Sequence, residues 1–229
     1  MKPGSDLKVE ARKHFQYLHL IHEDVREELY LLGFSEQPAR ICDFGCGNGL
    51  TTYSLALEFE QAECTGIDRF DGVDAPRLEH LLQFQESLTK HCAEEAASRK
   101  PFPEELCSLV QKARLPRFHR GDFIRGENLP EGVDLAYCKR IFANVFEGKQ
   151  AGDPSGGEGL HLAVDRIAAS IRPQGTLCSV EFEGFDLAKY LAKRNLRVLK
   201  RATLQRRDVR SRGRTTVLSR YALVLCQKL

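Results

Sequence analysis

The chain has 229 residues, of which 42% are hydrophobic and 29% are charged, and its formal net charge is +2. These values are typical of an ordinary globular protein of one or two domains, and a chain of this length buries most of the surface that it exposes when unfolded. No apolar run approaches the roughly 20 residues that cross a bilayer, and the first residues lack the apolar core of a signal peptide. The sequence therefore predicts one cytoplasmic domain, residues 1–229, with a single core and no membrane partner.

The eight cysteines lie mostly inside apolar runs and form no C-x-x-C pair. This pattern favours reduced, buried thiols over disulfides. Cys42 and Cys46 are four residues apart, but no further ligand pair lies near them, so we expect no metal site. The nearly balanced charge argues against binding nucleic acid over a whole face, although it permits a local basic patch.

The first element is an N-terminal helical segment within residues 1–37. Its apolar residues are spaced by three and four, which predicts one amphipathic helix from Asp6 to Leu32, or two short ones, ending at Gly33. His19 and His22 share a face of this helix, where a solvated or core-edge pair is favoured over a ligand set. The apolar stripe consists of Phe15, Leu18, Ile21, Val25, Leu29 and Leu32.

A βαβ unit follows this helix. Residues 39–44 form a short apolar strand that runs into the glycine loop Gly-Cys-Gly-Asn-Gly at positions 45–49. Residues 50–59 have a helical pattern, and residues 62–68 form a second strand that ends on Asp68. Strand, glycine loop, helix and strand in this order are typical of a βαβ unit.

Residues 71–115 are longer than one crossover helix requires. Two helical patterns, at 75–97 and 103–115, predict a helical insertion. One interpretation is a lid over an acceptor pocket, and the other is a set of extra helices packed on the sheet edge.

The rest of the chain continues the alternation of strands and helices. We expect strands at 117–120, 133–138 and 176–182 and a helix at 159–171, which together predict a parallel sheet. Residues 148–159 are rich in glycine and predict a flexible surface loop. Two β-rich runs, 196–205 and 215–226, predict an antiparallel hairpin whose turn, 206–214, carries five arginines. A solvated turn is favoured over an anion site there, although the turn offers a basic patch.

A glycine loop between a strand and a helix lets backbone N–H groups approach a ligand closely. The nicotinamide fingerprint G-x-G-x-x-G/A does not fit, because Leu50 occupies its last position. The Walker loop also does not fit, because no Gly-Lys-Ser/Thr follows. The ligand must therefore belong to another class.

The segment Ile41 to Gly49 resembles the first motif of class I S-adenosylmethionine-dependent methyltransferases at every key position. Further matches to that family follow in the right order along the chain and extend the resemblance over about residues 38–182. These matches are Gly66-Ile67-Asp68, Gly121-Asp122-Phe123, the strand Val133 to Tyr137 and the turn Ile171 to Thr176.

The resemblance implies a Rossmann-like α/β fold with a seven-stranded, mostly parallel, doubly wound sheet, a helical insertion or cap and a C-terminal antiparallel hairpin. It implies S-adenosyl-L-methionine as cofactor and S-adenosyl-L-homocysteine as product. Gly45 and Gly47 would let the backbone pass under the methionine part of the cofactor, and Asp43 would orient its ammonium. Asp68 would accept hydrogen bonds from both ribose hydroxyls.

The adenine end of the implied cofactor site has its own residues. Asp122 would accept a hydrogen bond from the adenine amino group, and Phe123 and Arg69 would flank the ring. Each acid also has a structural interpretation, Asp68 as a strand-end cap and Asp122 as a turn former after Gly121. The candidate cofactor-binding set is completed by Phe44, Cys46 and Cys138.

The acceptor side of the sequence carries fewer signals. The Asn/Asp-Pro-Pro-Tyr tetrad of amino-methylating enzymes is absent, and Asn144 stands about where a histidine often occurs in the family. The sequence identifies no catalytic residue, since a structural role is favoured for each candidate base. These bases are His119, His161, Tyr137 and Lys139.

The resemblance implies transfer of a methyl group to an oxygen, nitrogen or carbon of a small molecule. One alternative is methylation of RNA or protein through the arginine-rich hairpin, although nucleic acid is the less favoured partner. Another is a cofactor-binding partner subunit without catalysis. The sequence determines neither the acceptor nor the oligomeric state.

Overall fold

The structure of the protein is a computed structural model that describes residues 3–70, 108, 112–147, 156–191, 194–209 and 216–229. Side chains are described within these ranges for residues 18–70, 108, 112–147, 157–191, 194–206 and 219–229. The helices are α1 (Pro3–Leu32), α2 (Leu50–Glu58), α3 (Ile141–Phe146), α4 (Gly156–Ser170) and α5 (Ala188–Leu191). The strands are β1 (Arg40–Phe44), β2 (Glu63–Asp68), β3 (Arg117–Arg120), β4 (Val133–Lys139), β5 (Ile171–Phe182), β6 (Leu196–Val209) and β7 (Thr216–Lys228).

The N-terminal segment is one continuous helix, which is one of the two arrangements that the apolar stripe predicts, and it begins at Pro3 instead of Asp6. Gly33 ends it in the left-handed region with a φ of 65°. Its N–H donates to the carbonyl of Tyr30 at 2.9 Å, and the N–H of Phe34 donates to the carbonyl of Leu29 at 3.0 Å. This pair of bonds is the Schellman arrangement, which satisfies carbonyls at the end of a helix.

The described residues form two compact units, of which the first comprises those described within residues 1–27 and 37–120. Here β1 pairs in parallel with β2, and β2 pairs in parallel with β3. The helix α2 connects β1 to β2 and buries most of its residues, so the predicted βαβ unit is confirmed. The predicted helices of the insertion lie almost wholly outside the described residues, and residues 113–116 are not helical.

The second unit comprises the residues described within 28–36 and 121–229. In it β4 pairs in parallel with β5, while β7 pairs antiparallel with both β5 and β6. The described ranges contain seven strands in all. The predicted α/β fold with a mostly parallel sheet and a C-terminal antiparallel hairpin is therefore confirmed.

Several predicted boundaries are corrected. β5 begins at Ile171, because Val133 pairs with Ile171 and Leu135 pairs with Thr176, so residues 172–175 bulge out of the strand. Residues 156–159 start α4 instead of belonging to the glycine-rich loop, whose residues 148–155 lie outside the described ones. β6 continues to Val209, so residues 206–209 of the predicted turn are strand. The short helices α3 and α5 were not predicted.

The predicted buried thiols are confirmed where the structure describes them. Six cysteines are free and buried, and Cys92 and Cys107 lie outside the described residues. Burial raises the pKa of Cys64 and of Cys226 to about 12, which makes these thiols poor nucleophiles. No helix in the described ranges combines the length and the apolar character needed to cross a bilayer.

Candidate cofactor-binding site

The glycine loop follows β1 at the carboxyl ends of the parallel strands. The N–H groups of Gly45 and Cys46 both donate to the carbonyl of Ile67, at 2.7 and 3.0 Å, so the start of the loop is fixed to β2. Gly45, Gly47 and Gly49 have φ values of 69°, 52° and 74°. These angles lie in the left-handed region, which side chains rarely adopt.

The space in front of Gly47 is open. A Cβ atom added to this residue would meet no heavy atom within 4 Å. A ligand can therefore approach the main chain at this point, which the resemblance assigns to the methionine part of the cofactor.

Asp68 lies beside this loop. Its Oδ2 accepts a hydrogen bond from the N–H of Gly47 at 3.0 Å, and its Oδ1 accepts one from the N–H of Phe70 at 3.3 Å. The carboxylate thus holds the loop in position while each oxygen keeps a further lone pair for a hydroxyl donor. The strand-end interpretation and the cofactor-binding interpretation of Asp68 are compatible.

Asp43 is buried beneath the loop. Its Oδ2 accepts a hydrogen bond from the hydroxyl of Thr52, which lies on α2, at 2.7 Å. Gly66 is constrained by the same hydroxyl, since a Cβ there would lie 2.8 Å from Thr52 Oγ1 and 2.8 Å from the ring of Phe118. Thr52 therefore joins the start of the helix to both strands, a role that the sequence pattern did not reveal.

The remaining predicted residues of the first unit differ in exposure. Phe44 and Cys46 are buried, whereas Arg69 is partly exposed. Burial, reinforced by the charges of Asp43 and Asp68, raises the pKa of the Cys46 thiol well above its ordinary value. Cys46 therefore contributes packing and its backbone to the loop rather than a thiolate.

Asp122 lies in the second unit and organises a turn. Its Oδ1 accepts hydrogen bonds from the N–H groups of Ile124 and Arg125 at 2.8 and 3.0 Å. This geometry is that of the turn former, and an adenine contact stays a prediction. Phe123 and Cys138 are also buried in this unit.

Glu28 forms a buried cluster for which the sequence pattern carries no signal. Its carboxylate is fully buried and accepts hydrogen bonds from the hydroxyl of Tyr137, from Nζ of Lys139 at 2.8 Å and from Nη1 of Arg206 at 2.6 Å. A buried charge needs such partners to offset its lost hydration. Two of the four candidate bases, Tyr137 and Lys139, are thus occupied by a structural carboxylate.

The same cluster corrects the interpretation of the basic turn. The sequence places Arg206 in a solvated turn, but the residue lies on β6. Its side chain is only 12% exposed and pairs with Glu28. β6 continues through this residue, and the side chain of Arg206 contacts Glu28 in the cluster. The basic patch loses one of its five arginines.

Glu181 lies at the carboxyl end of β5. Its carboxylate accepts hydrogen bonds from the N–H groups of Ile141, Phe142 and Ala143 at 3.0 to 3.1 Å. These donors stabilise the charged form, but burial outweighs them and raises the pKa of Glu181 to about 7. The contacts fix the start of α3, directly after β4.

Two of the histidines whose side chains are described lie beside charged side chains. His22 is buried, with Nε2 3.3 Å from Oε2 of Glu58, which supports the predicted core-edge role. The Nδ1 of His161 lies 2.8 Å from Nη2 of Arg194, and His119 is exposed. Among the described residues no three His, Cys, Asp or Glu side chains are grouped as metal ligands.

The structure therefore brings the first part of the predicted set together. Asp43, Gly45, Gly47 and Asp68 meet at one loop in the first unit. Asp122, Phe123 and Cys138 belong to the second unit.

The architecture is that of class I methyltransferases. A SAM-dependent methyltransferase from Methanosarcina mazei matches with a TM-score of 0.55 and 16% identity, over 86% of this chain and 95% of that one. The N-methyltransferase NodS from Bradyrhizobium japonicum, in complex with S-adenosyl-L-homocysteine, matches with a TM-score of 0.55 and 14% identity, over 90% and 86%. At these identities the likeness shows a shared fold.

Sequence comparison adds a particular relative. Trans-aconitate 2-methyltransferase of Pseudomonas paraeruginosa is 26% identical in an alignment of 164 positions that covers 68% of this chain and 58% of that protein. The chain thus matches less than two thirds of the length of this relative. No protein-family model matches the chain. The similarity to class I methyltransferases that the glycine loop predicts is nevertheless confirmed in fold and in sequence.

Proposed function

We propose that the protein is an S-adenosyl-L-methionine-dependent methyltransferase acting on a small-molecule oxygen, nitrogen or carbon. The observation that carries this proposal is the glycine loop, whose open face at Gly47 lies directly beside the carboxylate of Asp68. The methyltransferase relative and the fold support it.

The residues present fit the cofactor. Gly47 leaves room for the methionine part, and the free lone pairs of Asp68 suit two ribose hydroxyls. When bound, S-adenosyl-L-methionine supplies an electrophilic methyl group, whose bond to sulfur breaks as the bond to the acceptor forms. Asp43 lies beneath the loop and contributes negative charge for the ammonium group.

The chain itself has mainly to position the acceptor and exclude water. Tyr137 and Lys139 are held by Glu28, so we assign neither of them as the general base. This arrangement suits an acceptor that is already nucleophilic or that loses its proton to solvent.

A small-molecule acceptor is favoured over RNA by the position of Arg206. Its guanidinium is paired with buried Glu28 and does not contribute to a phosphate-binding surface. The free, buried thiols of the described cysteines support a cytoplasmic location.

The experiment is transfer of label from methyl-labelled cofactor into a cell extract that is separated into small molecules, RNA and protein. We expect label in the small-molecule fraction, and Asp68→Ala as the matched control should abolish it. Label in RNA or protein would contradict the acceptor class. Cofactor binding without any transfer would favour the non-catalytic partner subunit.

A further inference from the structure

We propose that Arg140 binds a carboxylate group of the methyl acceptor, so that the substrate is a small organic acid. This inference rests on the proposed function and names its substrate class. It follows from four features of the second unit: the place of Arg140 in the sheet, its backbone conformation, the rings that hold its side chain and its lack of a counterion.

Arg140 directly follows β4 at the carboxyl end of the strand. In open α/β sheets ligands bind at this end. β4 and β5 run in parallel, so Glu181 and Phe182 at the end of β5 lie at the same edge. Arg140 is therefore placed where an acceptor is expected.

The backbone of Arg140 is fixed in an unusual conformation. Its φ is 61°, in the left-handed region, which costs a residue with a Cβ about 1 kcal/mol or more. Its N–H donates to the carbonyl of Val180 at 2.8 Å, and the next three N–H groups donate to the carboxylate of Glu181. Strain of this kind is often retained at functional sites.

The guanidinium of Arg140 is held by two aromatic rings. Its Cζ lies 4.8 Å from the ring centroid of Phe182 and 5.1 Å from that of Tyr221, and the two rings stack on each other. Its Nη2 donates to the hydroxyl of Tyr221. These contacts fix the cation in place, which lowers the entropy lost when it binds a ligand.

The charge of Arg140 has no carboxylate partner within ion-pair distance among the described residues, and its buried Nε has no hydrogen-bond partner there. Lys139, the preceding residue, shows the contrast, because its Nζ lies 2.8 Å from a Glu28 oxygen. Of two consecutive cations at the end of β4, one is neutralised and the other is not.

A carboxylate is the ligand that fits this arrangement. The planar guanidinium forms parallel, charge-assisted hydrogen bonds to the two oxygens of a carboxylate. The flanking rings suit the carbon skeleton of an organic acid better than a strongly hydrated phosphate. The test must therefore distinguish methylation of carboxylic acids from methylation of phosphate esters.

The test uses the full chain and methyl-labelled cofactor with small molecules separated by charge into carboxylic acids, phosphate esters, and neutral and cationic compounds. We expect label in the carboxylic acid fraction. With the labelled acid purified, Arg140→Met should raise its KM about 30-fold or more, and Arg140→Lys should restore part of the loss. The KM for cofactor should not change.

Arg172→Met is the matched control. Arg172 follows the first residue of β5, at the end of the strand opposite to Glu181, and it pairs with Asp134. This variant should therefore keep the wild-type KM for the acid. Label in phosphate esters or in neutral or cationic compounds would overturn the inference while leaving methyl transfer intact. An unchanged KM in folded Arg140→Met, established by its circular dichroism and cofactor binding, would also overturn it. Absence of transfer to any compound would instead refute the proposed function, and this inference with it.

Discussion

At the scale of single residues, the cofactor site depends on one carboxylate and one glycine. Asp68 has two roles that the structure connects, since it holds Gly47 through a backbone hydrogen bond and keeps lone pairs for a ligand. A side chain with both roles affects binding directly and through the loop. Separate substitutions of Asp68 and of Gly47 distinguish the contribution of the carboxylate to cofactor binding from that of the glycine.

Asp68→Ala should weaken binding of S-adenosyl-L-homocysteine by about 2 to 3 kcal/mol, since it removes two charge-assisted hydrogen bonds. Isothermal titration calorimetry measures the change. Asp186→Ala is a suitable control, because that carboxylate is exposed and pairs only at the surface. An affinity for Asp68→Ala within twofold of wild type would contradict the assignment.

Gly47→Val should abolish cofactor binding and also reduce stability by about 1 to 2 kcal/mol, because valine at a φ of 52° is strained and its side chain enters the ligand space. Gly157→Val tests the same change in open space without a positive φ. Thermal unfolding and calorimetry on both variants give the comparison. If Gly47→Val binds the cofactor as tightly as Gly157→Val does, the loop does not face the cofactor.

At the scale of elements, two buried carboxylates connect helices to strands. Glu28 joins the end of α1 to β4 and β6, and Glu181 joins β5 to the start of α3. Neither role follows from local sequence patterns. The partners of Glu28 lie 109, 111 and 178 residues away in the chain, and periodicity carries no signal for such pairings.

Glu28→Ala should destabilise the protein by about 3 to 5 kcal/mol, because it leaves two partly buried cations without their counterion. Glu23→Ala on the same helix should change stability by less than about 1 kcal/mol, since its pair with Arg26 is exposed. Urea unfolding of both variants measures the difference. Equal midpoints would show that the cluster does not stabilise the fold.

Glu181 predicts a pH dependence of stability. Its folded pKa of about 7 lies above the ordinary value of 4.5, so its favourable contribution is complete below about pH 4.5 and is lost as pH rises through 7. Relative to Glu181→Gln, wild type should lose up to about 3 kcal/mol between pH 5 and 8. Urea unfolding across this range tests it, with exposed Glu183→Gln as control. If the unfolding free energies of wild type and Glu181→Gln change equally with pH, the raised pKa of Glu181 is contradicted.

At the scale of the whole molecule, the sequence predicted the features that depend on local order. The strand, loop and helix around Gly45 and Asp68 are contiguous or nearly so, and their periodicity and glycine spacing are visible in the sequence. The predicted start of β5 was wrong because residues 172–175 bulge out of the strand. The predicted turn at Arg206 was wrong because the pairing of β6 with β7 continues through this residue. The acceptor end was not predictable, since Arg140 acquires its surroundings from β5 and β7.

Calorimetric titration of the full chain with S-adenosyl-L-methionine, and in parallel with NAD and ATP, measures which cofactor the glycine loop binds. We predict saturable one-to-one binding of S-adenosyl-L-methionine and no binding of NAD or ATP, because the loop lacks both the nicotinamide fingerprint and the Walker lysine. Absence of saturable binding of S-adenosyl-L-methionine, or tighter binding of NAD, would contradict it.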